Sequence, residues 1–131
     1  LNIMNPSSPT LETTYSSGGW EAAIAVNSSM VCTYDDDGDT VRIYNRSDDS
    51  YISDFTHSTG NSIWLDEYYL YINEYDYVNT YDMTDPNNPV LVVNDAYITE
   101  GYTNDLVHAG DYLYFACSGT NKPVVTLDAP W

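Results

Sequence analysis

Short apolar runs, alternating or β-branched, are broken every few positions by Gly, Pro, Asn, Asp and Ser along the whole chain. That punctuation predicts strands at Thr10–Tyr15, Trp20–Val26, Met30–Tyr34, Tyr51–His57, Ile63–Leu65 and Tyr69–Tyr75. It predicts further strands at Val90–Asn94, Ala96–Ile98, Leu106–Ala109 and Tyr112–Cys117. Trp20–Val26 (W-E-A-A-I-A-V) has the alanine content of a helical turn. Its place between Gly-Gly and Asn-Ser-Ser favours a strand. No segment carries a sustained 3.6-residue apolar stripe with caps, so no long helix is expected. The pattern is all-β.

The strands are ordered by a repeat. Its clearest copy is Val78–Pro89, V-N-T-Y-D-M-T-D-P-N-N-P: a β-branched strand that runs into Asp and then into a turn bracketed by prolines. Weaker copies stand at Leu1–Pro9, at Val41–Ser50 and at Val124–Trp131. The prolines fix φ and remove amide donors, which stiffens the connection, and the Asp can accept bonds from amides in the turn. The intervals between copies centre on roughly 40–45 residues, with about four strands in each, as in the blades of a β-propeller. One domain, 1–131, therefore divides into units of approximately 1–40, 41–77 and 78–131.

About three four-stranded blades are too few to close the usual ring of ~4–8. Repeats bury their apolar faces only against neighbours, so an open segment would leave two end faces uncovered. Either the chain belongs to a longer propeller or copies associate. The chain also starts and ends on the same strand type, leaving a strand that could complete a neighbouring molecule's blade.

Charge narrows the partners. Three Lys and Arg stand against 20 Asp and Glu, a formal net charge of -17. With no basic stripe to displace counterions, nucleic acid is excluded as a partner, and an anionic membrane surface is disfavoured. Cations, basic partners, neutral glycans and screening salt remain attractive. No apolar run reaches the ~20 residues that span a bilayer. Leu1 begins directly in a repeat, so any signal segment was removed or the chain starts inside a longer protein. Two cysteines and two Asn-x-Ser triplets, at Asn27 and Asn45, point toward an extracellular or cell-surface setting.

The segments T-D-P-N-N-P-V-L-V (Thr84–Val92) and G-Y-T-N-D-L-V-H-A-G-D-Y-L-Y-F-A (Gly101–Ala116) resemble the LVIVD-repeat family of β-propellers. The third unit matches along nearly all its length and the first at both ends; the second has lost the prolines. The resemblance implies an extracellular binding or adhesion module without a shared catalytic set, so no functional residues carry over from it.

Candidate chemistry is sparse. Asp35, Asp37 and Asp39, around Gly38, could offer oxygen ligands to Ca²⁺. The loop departs from the EF-hand pattern, with Thr33 at the first ligand position and no closing Glu. The competing reading is an acidic hairpin joining the third and fourth strands of the first unit through an Asp-Gly turn. His57 and His108 lie in different units without ligand-spaced partners. No Gly-x-Ser-x-Gly elbow is present. Asp66-Glu67 and Glu74/Asp76 are uninformative in so acidic a chain, so no enzyme is expected. Cys32 and Cys117 are expected to face different directions as unbridged thiols. Trp20, Trp64, Trp131 and the tyrosines are either core or stacking platforms for a glycan. Two functional readings compete ahead of a propeller-enzyme fragment. One is a self-associating structural or adhesion module that builds a ring or filament; the other is a lectin-like module.

Overall fold

A computed structural model describes residues 14–15, 21–98, 102–119 and 124–128, without the side chains of 21, 22 and 124–128. Eleven strands and no helix occur among the described residues. They form three antiparallel meanders. The first sheet is β1 (Glu21–Val26), β2 (Met30–Asp35), β3 (Thr40–Asn45) and β4 (Tyr51–Thr56), in that order. The second is β5 (Ser62–Leu65), β6 (Tyr69–Glu74), β7 (Tyr77–Asp82) and β8 (Val90–Tyr97). The third has only β9 (Tyr102–Ala109), β10 (Tyr112–Ser118) and β11 (Val124–Asp128), with no fourth strand among the described residues. The sheets meet through their first strands, β1 against β5 and β5 against β9.

The repeated motif is the third strand of each sheet. Val41, Val78 and Val124 pair with Tyr34, Asn73 and Ala116, while the closing Asn45, Asp82 and Asp128 pair with Met30, Tyr69 and Tyr112. Intervals counted from motif to motif therefore begin at a third strand and run into the next sheet. The acidic hairpin accordingly joins the second and third strands of a sheet, not the third and fourth. Val90–Asn94 and Ala96–Ile98, expected as two strands, are one strand ending at Tyr97. Asp95 adopts φ 52 and the register shifts twice, so a bulge absorbs the polar Asn-Asp pair without ending the pairing. β9 starts at Tyr102, four residues before the apolar run that marked it in the sequence.

Strand alternation sends each side chain to one of two neighbouring layers. Met30, Cys32 and Tyr34 of β2 meet Leu70 and Ile72 of β6 in one core. From the opposite face of β6, Tyr71, flanked by Tyr69, meets Leu113, Phe115 and Leu106 of the third sheet in a second core. The second sheet is thus buried on both faces, which explains the nearly continuous burial of β6 and β7.

In the turn of the clearest motif copy, the Asp82 carboxylate accepts from the amide of Thr84 and that of Asp85 from the amide of Asn87. The Thr84 bonds hold the Asp82 carboxyl below its ordinary pKa. The hydroxyl of Ser53 on β4 donates to the carbonyl of Pro86, so the stiff turn also ties the second sheet to the first.

Candidate functional site

The open face of the third sheet is the candidate site. Positions that share a register with the motif strand form three series: Met30, Tyr69, Tyr112; Cys32, Tyr71, Tyr114; and Tyr34, Asn73, Ala116. In the first two sheets these side chains point toward the next sheet. Tyr71 is 0% exposed, whereas Tyr114 in the matching slot is 36% exposed and Tyr112 is 44% exposed. Tyr114 and Val107 border a hollow of about 220 Å³, lined by Asp105, Leu106, Val107, Tyr114, Phe115 and Ala116, and the Tyr112 ring stands against that of Tyr114. The backbone edge of β11 that would face a fourth strand has no partner among the described residues. An unpaired edge beside an exposed apolar face is a template for another chain.

Polar clasps occupy the third series where a neighbour exists. Tyr34 reaches across to accept a hydrogen bond from the amide of Gly60, at 2.8 Å. A Cβ on Gly60 would lie 3.0 Å from Ile72 and 3.1 Å from the Tyr34 ring, so only glycine fits without displacing them. Gly60→Ala is expected to lower unfolding free energy by about 1 kcal/mol through overpacking, measured by urea denaturation. Between the second and third sheets, Asn73 donates through Nδ2 to the Thr103 carbonyl at 3.2 Å and bonds the Thr103 hydroxyl through Oδ1. Asn61 donates to the same carbonyl, and the Thr103 amide donates to the carbonyl of Tyr75. Ala116 holds this position in the third sheet and has no side chain with which to clasp.

The histidines sit in structural networks that spacing alone could not reveal. His57, buried between the first two sheets, has Nδ1 2.8 Å from the Tyr81 hydroxyl, and Nε2 2.7 Å from Glu74 Oε1 but out of line for a hydrogen bond. A proton on Nε2 lets Tyr81 donate to Nδ1 and keeps the ring neutral. Asn79 also donates to Glu74 and accepts from the Asp95 amide. Burial pushes the His57 pKa below its ordinary value, outweighing the opposing pull of Glu74. A folded-state pKa below the unfolded value contributes stability at neutral pH that is lost as pH falls below about 6.5. The melting temperature is expected to drop across that window, and the slope to flatten in His57→Gln; an unchanged slope would exclude His57 as the source. His108 of β9 stands 3.4 Å from Asp66 and against the Tyr71 ring. Asp66 also accepts from Tyr71 and from the amides of Tyr68 and Tyr69, and its carbonyl accepts from Asn27. One turn residue thus touches all three sheets.

The acidic hairpin is built around its first residue. Asp35 is buried; its carboxylate accepts from the amides of Asp37 and Gly38 and pairs with Arg42 at 3.1 Å. The left-handed turn position is Asp39, with φ 48, while a Cβ on Gly38 would lie 3.0 Å from the Asp35 carboxylate and press it out of place. Asp35, Asp37 and Asp39 do not converge: among the described residues no three His, Cys, Asp or Glu side chains are arranged to hold a metal. The carboxylate nearest the centre of the loop is already engaged by two amides and a guanidinium.

Cys32 and Cys117 are free thiols on the second strands of different sheets, and burial pushes the Cys32 thiol up to about 12. Trp64 is partly buried against the second core; Trp20 and Trp131 lie outside the described residues. So do the first motif copy at Leu1–Pro9 and the proline of the last, Pro130. The Asn27 side chain is engaged through both its oxygen and its nitrogen, whereas Asn45 uses its oxygen for Ser47.

The fold and this surface define a class: an all-β protein of three antiparallel sheets stacked side by side, the last with three strands among the described residues. No family model matches the chain, and no curated protein sequence does. In fold it is similar to the crystal structure of the computationally designed Ika4 protein, with a TM-score of 0.61 at 10% identity, covering 92% of this chain and 98% of that one. It is also similar to the structure of U3-55K, with a TM-score of 0.62 at 14% identity, covering 79% of this chain and 40% of that one. No helix among the described residues is long and apolar enough to cross a membrane.

Proposed function

We propose that the chain is a β-propeller-type module of the LVIVD-repeat kind, with a non-enzymatic structural or adhesion role outside the cell, and that copies of it associate through the third sheet. Each sheet then acts as a blade, consistent with the meander order and with the contacts between first strands. The observation that carries the reading is Tyr114: it repeats the position of the fully buried Tyr71, yet it is exposed. A face that repeats the chemistry of a face covered by this chain's own next sheet is complementary to surfaces of this chain.

Such a contact is heterologous, pairing unlike faces, and gives a ring if the rotation closes and a filament if it does not. A net charge of -17 opposes it, so association should strengthen as salt screens the repulsion. Light scattering on the eluting chain tests this. Dimers or larger species, increasing between low and physiological salt, are expected. A monomer at every salt and protein concentration would overturn self-association and assign the face to the rest of a longer chain.

A further inference from the structure

We propose that the cleft between the first and second sheets binds a short neutral saccharide. The cleft has a volume of about 450 Å³, within the ~300–1,000 Å³ usual for small-molecule sites. It lies on the seam between these sheets, away from the open face of the third, so it stands apart from the self-association reading. Its floor is apolar: Met30 and Met83 are buried and Ile52 packs against the same core. Its rim carries Ser28, Asn45, Glu67 and the half-exposed ring of Tyr68.

The walls are turns held in place before any ligand arrives. Asn27 caps the β1–β2 turn by accepting from the amides of Ser29 and Met30. Asp66 does the same for Tyr68 and Tyr69 in the β5–β6 turn, Asp82 holds Thr84, and Ser53 holds Pro86. The amide of Met83 donates to the Tyr68 carbonyl at 2.7 Å, locking two of these turns together. None of these turn bonds uses the Ser28 hydroxyl, the Asn45 amide nitrogen, the Glu67 carboxylate or the Tyr68 hydroxyl, all of which belong to residues lining the cleft. A rigid cup that offers donors, acceptors and one aromatic face matches the two surfaces of a sugar ring, its hydroxyl rim and its C–H face. The strong negative charge of the chain and the Glu67 carboxylate disfavour phosphates and acidic sugars, which leaves neutral ones.

The test is an amide-resolved NMR titration of the full chain with cellobiose, maltose and lactose in turn. Saturable shifts at Ser28, Ser29, Glu67, Tyr68 and Thr84 are expected for at least one of them, with dissociation constants of about millimolar order. Tyr68→Ala, which removes an exposed ring while leaving the capped backbone, should weaken that binding about tenfold with the remaining spectrum unchanged. Absence of saturable shifts with all three sugars would overturn the proposal. So would shifts that map to the third sheet, or shifts undiminished in Tyr68→Ala. The protein is held dilute and at low salt and its mass is checked by light scattering on the same sample, so sugar binding is read apart from self-association.

Discussion

Tyr114→Asp is expected to hold the chain monomeric under the salt conditions in which the unaltered chain associates. Burying a tyrosine of this exposure stabilises a contact by about 1.5–3 kcal/mol, and placing a carboxylate in the same apolar hollow adds a desolvation cost. Together these weaken association by at least about a hundredfold. Folding should be little changed, because Tyr114 belongs to neither core. Val92→Asp is the control: it adds the same charge at an exposed position of β8, on another sheet, and should leave the native mass as it was. Retention of the oligomer in Tyr114→Asp, or its loss in Val92→Asp, would remove the third-sheet face from the assembly.

Asn73→Leu is expected to lower unfolding free energy by about 2 kcal/mol in urea titrations. The substitution keeps the γ-branched outline of a fully buried side chain, with somewhat more bulk, but deletes its bonds to the carbonyl and hydroxyl of Thr103, itself 0% exposed. A buried polar group left without its partner costs about 1–3 kcal/mol, more than the net gain from forming the bond. The loss should be local as well as global. Amides of β9 and β10 should exchange faster than those of β2 and β3, because the clasp joins the second sheet to the third. Uniform exchange, or unchanged stability, would show that apolar packing alone holds the third sheet in place.

Strand content was legible in the sequence because alternation and turn residues act locally. Along a strand, side chains two residues apart share a face whatever surrounds it, and clustered Pro, Gly, Asn and Asp favour turns between strands. The bulge at Asp95 was not legible, since a polar pair reads as a break unless pairing with β7 carries the strand across it. Both histidine networks were also hidden. Glu74 stands 17 positions after His57 and Asp66 42 before His108, and such separations carry no spacing signal. The acidic hairpin shows the reverse case: the Asp run is conspicuous in sequence, yet burial of Asp35 beside Arg42 gives its leading carboxylate a structural task.

By itself the sequence determined that the chain is all-β, that a motif ending in Asn or Asp recurs along it, and that it carries a formal net charge of -17. These follow from local periodicity and from composition, which need no knowledge of distant contacts. Only the tertiary structure decided where the motif lies within each sheet, because strand order is set by which apolar faces find each other. It alone decided that Tyr71 is covered and Tyr114 is not, although the two occupy the same register position. Burial depends on whether a neighbouring layer is present, and that is a property of the stacked sheets rather than of either tyrosine.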